Sequence, residues 1–386
     1  RALGILVLGD LGLVRSFGVA GFKVDLGTSL RHHGPASYSR YCKRRLTFSP
    51  FSSQAFIEEL LAYGEKQDAP TYIALDADPP VLAISENREV LSPYFRFLLP
   101  EKEVVKGAIH KTMFSQLATT HQLPVPQTFA IHSMQDFDLA LLQIQFPCVL
   151  KPAQQEDWWK TEVQQILGGL RKALLIFTQE DLVSTYEKLN PYTPEVVIQE
   201  HVSGDDQHLY SLHALLNRDS NVVSYVLGRK VRTYPIHFGM GCYAQTVSEP
   251  AIAELGLSAL QRIRFQGLAS MNLKKDDQTG EVKILEINPR SSLWCYLDAF
   301  SGNNLALKAY YLATGQNIDR HSSYDIGIRW LYFKNDFLAL LQYRKSGELT
   351  FRKWLGSFRG RTAYHIFSVR DRMPFFVSVL QFFVRR

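Results

Sequence analysis

Cysteine is scarce in this chain: four in 386 residues, at positions 42, 148, 242 and 295. Their spacing matches neither a metal-ligand pattern nor a disulfide framework, so they read as reduced thiols of a cytoplasmic protein, mostly in the core. Long apolar runs are missing too. No stretch of 18 or more apolar residues is present, and the first residues show no charged-then-apolar leader, which argues against a membrane span and a secretory signal. There are no internal repeats and no low-complexity tracts. The glycine signature of a dinucleotide fold is incomplete, because after Gly9 only Gly12 follows closely and no acidic residue ends the second strand cleanly. The eleven histidines have no ligand spacing, and no Ser/His/Asp or Cys/His constellation stands out. Positive charge exceeds negative, 43 Lys and Arg against 37 Asp and Glu. The basic residues read as scattered, so nucleic acid is not an expected partner.

What is present is enough apolar residue, 46%, to bury a large core divided over two or three domains. "LGILVLGD" (3–10) reads as a buried strand, followed by a helix with Gly21 as its cap and then a second strand. This βαβ opening indicates a Rossmann-like lobe without a bound dinucleotide, spanning residues 1–105. "PTYIALDAD" and "PPVLAISEN" read as further strand-like segments and turns. A helix starts near Lys111. "FPCVLKP" is a short strand delivering Lys151, and "VVIQEHVSGDDQHLY" is a strand, a break at Ser203–Gly204 and a second strand. "VVSYVLGRKVRTYP" is a strand carrying Arg229, Lys230 and Arg232. "PAIAELGLSALQRIRFQG" has the three-and-four spacing of an amphipathic helix, and "LASMNLKKD" with "VKILEINPR" forms a hairpin.

"KILEINPR" (283–290) carries the chemistry most openly. Strand alternation puts Glu286 and Asn288 on one face and Leu285 and Ile287 on the other. A carboxylate and a carboxamide oxygen suit a hard divalent cation such as Mg²⁺, and Arg290 beyond the strand offers a planar cation to a carboxylate or phosphate. Taken singly, E-x-N also fits a solvated strand edge, and Lys111 and Lys151 fit surface charges. The strand end Glu200–Val202 equally fits an ordinary edge or an adenine-binding hinge. Their order along the chain is what turns these alternatives into a pattern.

In that order, "HKTMFSQLATTHQLPVP", "FPCVLKP", "VVIQEHVSGDDQHLY", "LGRKVRTYPIHFGMG" and "ILEINPR" resemble the ATP-grasp superfamily, in its bacterial carboxylate–amine ligase-like branch. The resemblance covers roughly residues 1–320 and implies an α/β (α+β) fold. A Rossmann-like lobe (1–105) is followed by a lid (106–200), a C-terminal subdomain with the metal site (201–320) and an extension (321–386). It implies that Lys111 and Lys151 bind ATP phosphates. Glu200, His201 and Val202 form the adenine hinge, and Asp206, or its neighbour Gln207, meets the ribose. Lys230 and Arg232 face the transferred phosphate, Glu286 and Asn288 ligate Mg²⁺, and Arg290 steadies the acyl phosphate or the substrate carboxylate. The implied activity joins a small carboxylate to an amine through an acyl phosphate, with ATP and Mg²⁺ as cofactors. An ATP-binding sensor or scaffold without turnover is the competing reading, and a bicarbonate-using carboxylase a weaker third.

Two departures from the family pattern stand out. The second acidic metal ligand is replaced by Asn272, so that Asn272 ligates a single Mg²⁺, Asp276 or Asp277 reaches in, or metal binding is impaired. The first lobe also looks shortened around "GDLGL". In the lid stretch 154–172, Trp158 and Trp159 read as core packing ahead of substrate-entrance residues, and Gly168–Gly169 as the flexible pair. The tail "PFFVSVLQFFVRR" is apolar nearly all round with a basic end. Packing on the body or on a homodimer partner is preferred there to a peripheral membrane contact.

Overall fold

Short apolar strands alternating with helices in the first hundred residues fold as one parallel sheet. The computed structural model describes residues 2–29, 34–153, 155–169, 171–318 and 323–384. Strands β1 (Ile5–Leu8), β2 (Val24–Thr28), β3 (Cys42–Thr47), β4 (Thr71–Leu75) and β5 (Phe95–Arg96) lie in the order β3-β2-β1-β4-β5. β1 and β4 are buried on both faces, which is why their sequences are unbroken apolar runs. The strand order reverses between β1 and β4, and the crevice beyond their carboxyl ends is where α/β sheets bind ligands. Helix α1 (Leu11–Gly18) begins there, capped by Asp10. "PPVLAISEN", read from the sequence as strand and turn, is instead helix α2 (Asp78–Glu86). Its two prolines occupy the first helical turn, where their missing N–H groups cost nothing, and Val81 and Ile84 give it a buried face.

Helices α3 (Lys102–Ile109) and α4 (Lys111–Thr120) follow. The second sheet is antiparallel, in the order β6-β9-β7-β8, from β6 (Thr128–Ile131), β7 (Cys148–Pro152), β8 (Leu174–Ile176) and β9 (Val196–Glu200). Its own core holds Ile131, Phe137, Trp158, Leu182 and Tyr186, with the Phe137 and Tyr186 rings stacked at 4.2 Å. Trp158 is fully buried and Trp159 exposed, so only the first tryptophan packs as core.

The third sheet runs β14-β13-β10-β11-β12-β15-β16. It comprises β10 (Leu209–Leu216), β11 (Val222–Tyr234), β12 (Met240–Thr246), β13 (Gly267–Lys275), β14 (Val282–Asn288), β15 (Arg329–Leu331) and β16 (Thr362–Tyr364). Helix α5 (Pro250–Arg262) covers one face, its Ile252, Ala253, Ala259 and Leu260 clustering with Leu212, Ala214, Leu216, Met271 and Leu273. Ala108, Ala118 and Leu123 join that same cluster. Residues 102–123 therefore pack on the large sheet, and the lid's own core starts beyond the boundary drawn at 106.

The segment after 321 is more than an appendage, because β15 and β16 extend the large sheet. Helices α6 (Phe333–Lys345) and α7 (Met373–Val384) are tied in by two buried ion pairs. Arg232 Nε donates to Asp336 at 2.6 Å, and Arg15 Nε to Asp371 at 3.0 Å. Arg15 also donates to the carbonyls of His365 and Ile366. Among the described residues no helix is long and apolar enough to cross a membrane. All four cysteines are free, three of them buried.

Candidate active site

Between the lid sheet and the large sheet lies a cleft of about 370 Å³. Lys111, Lys151, Lys172, Lys230 and Lys274 line it together with Gln199, Glu200, His201, Val202, Asn272, Glu286 and Asn288. Each lysine is placed by its element. Lys111 opens α4, and its Nζ donates to the Pro152 carbonyl at 2.9 Å. Lys151 stands on β7 and donates to Gln199 Oε1 on neighbouring β9 at 2.6 Å; Gln199 Nε2 in turn donates to Thr128 Oγ1. Lys230 comes from β11, and Lys274 from the same face of β13 as Asn272. Burial disfavours their ammonium forms. It brings Lys151 down to about 8, with Lys111 and Lys274 adding repulsion and Glu286 opposing the shift. Lys172, Lys230 and Lys274 are all lowered, burial again being the main cause. Five crowded lysines, four of which lean toward losing their protons, mark a recess shaped for a polyanion.

Lys151, Lys172 and Lys230 act on the Glu286 carboxylate in the same cleft. The β13–β14 register sets Asn272 directly opposite Glu286 and Ser270 opposite Asn288. Asn272 Nδ2 donates to Glu286 Oε1 at 2.5 Å, and Asn288 Nδ2 to the same oxygen at 3.3 Å. Burial opposes ionisation of Glu286. Lys230, Arg290 and Lys151, together with the Asn288 hydrogen bond, outweigh it and hold the carboxyl below the usual glutamate range. The strand alternation carries one correction. The register shifts after Asn272, which pairs with Glu286 while Leu273 pairs with Ile284. Leu285 is thus a bulge residue that lines the cleft, while Ile284 and Ile287 face the core.

Three other residues sit differently from their sequence reading. Arg232 does not face the cleft. Register shifts flank it on β11, turning its guanidinium onto Asp336 and over the Tyr243 ring at 4.4 Å. Asp206 is buried in a turn under β11, accepting from Thr233 Oγ1, the His237 N–H and the Tyr343 hydroxyl. It is therefore a counter-charge behind Lys230 and Lys274, not a group at the cleft wall; Gln207 lies on an outer surface with Asp205 and Arg229. The Glu200 carboxylate accepts from the Gln127 N–H at 2.8 Å and its own N–H donates to the Gln127 carbonyl, so its side chain closes the β6–β9 edge. Arg290 stands just beyond β14 and is engaged: it donates to Asp78 Oδ1 at 2.5 Å and to Asn288 Oδ1 at 3.2 Å.

Asp78 belongs to a carboxylate group at the reversal point of the first sheet that sequence reading missed. Asp76 follows β4 and accepts from the Asp10 N–H at 2.6 Å. Burial, then Asp10, raises the Asp76 carboxyl to about 7. A Cβ on Gly9 would lie 2.6 Å from that carboxyl. The glycine turn after β1 thus receives a carboxylate where a dinucleotide fold places a phosphate. Ser291 N–H donates to the Leu75 carbonyl at 3.0 Å, docking the "NPRSS" loop on this edge.

A parallel α/β lobe, an antiparallel lid and a lysine-lined cleft above a glutamate–asparagine strand together form a recess whose charge suits an anionic ligand. No protein-family model matches the chain. Over 309 residues it is 26% identical to a D-aspartate ligase of Enterococcus faecium (strain Aus0004), covering 76% of this chain and 72% of that protein. The structure of N5-carboxyaminoimidazole synthetase from Staphylococcus aureus complexed with ADP superposes with a TM-score of 0.65 at 15% identity, covering 89% of this chain and 86% of that one. An L-amino acid ligase from Bacillus licheniformis gives 0.59 at 14% identity, over 81% and 74%. The chain has the ATP-grasp fold, and the D-aspartate ligase and these structures belong to the ATP-grasp superfamily.

Proposed function

We propose that the protein is an ATP-dependent carboxylate–amine ligase acting on small molecules, with an amino acid as the acid component. The observation that carries this reading is the set of five lysines that line one cleft together with Glu286. Such a site neutralises a triphosphate and a carboxylate brought together, and stabilises the charge that develops as phosphoryl transfers. The names of the relatives, a D-aspartate ligase and an L-amino acid ligase, support an amino acid.

In this reading a substrate carboxylate oxygen attacks the γ-phosphorus, the bridging P–O bond breaks, and ADP leaves. The amine then forms a C–N bond at the acyl carbon, phosphate departs and the nitrogen loses a proton. Lys111 and Lys151 hold the phosphates, and Lys230 faces the γ-phosphoryl group. The adenine lies against the Glu200–Val202 strand end with His201. Arg290, clamped by Asp78 and Asn288, is the positioning cation for the acid. Asp10 and Asp76, at the ends of β1 and β4, provide the negative edge for an ammonium group. For Mg²⁺ the donor set fits: one carboxylate and two carboxamides meet at Glu286, and no cluster of three or more acidic, His or Cys groups exists among the described residues. Such a small hard-oxygen set suits a cation that keeps phosphate and water ligands. Glu286, Asn288 and Asn272 would hold it, and it would offset phosphate charge. A requirement for ATP supports a cytoplasmic setting.

Asn272 favours one rival, an ATP-binding sensor without turnover. Titration with a non-hydrolysable ATP analogue, combined with an ADP-release screen of amino acids and amines, separates the two. The ligase reading expects Mg²⁺-dependent binding and ADP release that is lost in Lys151→Met. Binding with no release for any acid–amine pair would install the sensor reading.

A further inference from the structure

The chain's positive charge is not scattered, as the sequence reading had it. Residues 323–386 hold twelve Lys and Arg against four Asp and Glu, more excess than the whole chain's +6, so the remainder is slightly acidic. Two of the four acids, Asp336 and Asp371, are sequestered in the buried pairs with Arg232 and Arg15. The exposed surface of this segment is therefore more basic still.

Helix α7 lies within it and is seated with its bulk facing outward. Met373, Phe376 and Leu380 are 54%, 54% and 63% exposed. Their spacing of three and four residues forms one stripe along the helix, with Phe375 and Val379 beside it. The opposite side is smaller and more polar: Pro374 is buried, and Val377, Ser378 and Gln381 are half-buried. A helix packing on its own protein shows the reverse order. Phe367 and Val369, just ahead of α7, are also exposed, and the Phe367 ring meets Phe375 edge-on at 5.5 Å. Arginines bound the stripe: Arg370 and Arg372 are exposed at its start, and Arg385 and Arg386 follow in sequence. No acidic residue occurs from 372 to 386.

We propose that α7 is an interfacial anchor that lays Met373, Phe376 and Leu380 into the surface of an anionic lipid bilayer, with Arg370 and Arg372 at the headgroups. Apolar side chains edged by arginine and free of acid match the two parts of such a surface, acyl chains and phosphate headgroups. A second copy of the chain fits the charge pattern less well, since pairing α7 with itself brings arginines together without an acid to meet them. At twelve residues, the described helix is suited to lie in the interface plane, not to cross.

The test is flotation of the whole chain with phosphatidylcholine vesicles, with and without phosphatidylglycerol, at low and high salt. The expected result is co-flotation with the anionic vesicles, weakened by salt, and lowered at least about tenfold in Phe376→Asp/Leu380→Asp. Both substituted positions are exposed, so the variant should keep the wild-type circular dichroism and melting temperature, and this is checked first. If it fails that check, Leu380→Ser, a milder change at the most exposed position, takes its place. No flotation with either vesicle overturns the proposal, as does equal flotation with both. Self-association in the absence of lipid, removed by the same substitutions, overturns it in favour of a second copy.

Discussion

Replacing Asn272 by aspartate restores an acidic pair across the β13–β14 hairpin and shows how this cleft manages its charge. In the wild type, Asn272 Nδ2 donates to Glu286 Oε1 at 2.5 Å. The substitution removes that donor, whose bond to a charged acceptor is worth about 1.5–3 kcal/mol. It also sets two carboxylates in contact, a repulsion of about 4 kcal/mol at 4 Å and an effective dielectric of 20. Lys230 and Lys151, which already hold Glu286 below the usual range, return part of this, and protonation of one carboxyl limits the remainder. A net loss of about 2–4 kcal/mol is expected, lowering the melting temperature by about 4–10 °C. Mg²⁺ with an ATP analogue should reverse the sign, because the second carboxylate becomes a ligand. Differential scanning fluorimetry of wild type and Asn272→Asp, in the four combinations of metal and analogue, measures both effects. If the variant loses the same stability in all four, the Glu286 face is not a metal site and the assignment of Asn272, Glu286 and Asn288 is refuted.

The depressed Lys151 has a consequence for nucleotide binding. The folded protein binds fewer protons than the unfolded chain between about pH 8 and the ordinary lysine value of 10.5. An incoming phosphate restores the proton, so affinity should fall above about pH 8, by up to about tenfold per unit. Calorimetry at pH 8.5 in buffers of different ionisation enthalpy should register proton uptake that Lys151→Met removes; heats independent of buffer would contradict the assignment. Asp76 runs the other way. Its folded value near 7 exceeds the ordinary 3.8, so the native state holds the extra proton between these values and stability declines as pH rises from about 4 to 7. Asp76→Asn should flatten that decline and gain about 1–3 kcal/mol above pH 7, read from urea melts across pH; an unchanged profile would mean the buried carboxylate is not strained. Asp336→Ala strands the Arg232 guanidinium and should cost about 3–5 kcal/mol, while leaving the affinity of the folded protein for an ATP analogue within about twofold. If Arg232→Met stops turnover without lowering the melting temperature, Arg232 works in the cleft after all.

The hairpin was legible because a two-residue period leaves little freedom. Once "LASMNLKKD" and "VKILEINPR" pair, Asn272 must oppose Glu286, and the structure has that register. The same period would have exposed Lys274, two residues beyond Asn272, and Gln199, two beyond Val197 in the cleft wall. Neither is conspicuous in the sequence, where Lys274 is one of a lysine pair and Gln199 precedes the charged Glu200–His201. Lys172 left no comparable trace: it follows the lid glycines in a loop, and loop direction is set by what it packs on. "PPVLAISEN" misled because a short apolar run fits a buried strand as well as a helix, and the Pro–Pro start was the discriminating sign.

Arg232 marks the limit of reading by spacing. Two residues after Lys230 it belongs on the same face, and sequence alone gives no reason to put it elsewhere. What turns it is the irregular pairing with β12, and what rewards the turn is Asp336, more than a hundred residues later. Asp206 follows the same rule, since its hydroxyl partner Tyr343 also comes from α6. Both corrections arise because residues beyond 321 add strands and a helix to the large sheet and supply buried partners to groups near the cleft. A segment set apart in sequence as an extension thus decides which charged residues of the catalytic sheet remain available. This predicts that deleting residues 321–386 uncovers Arg232 and Asp206 together and costs the chain its fold, not merely a surface.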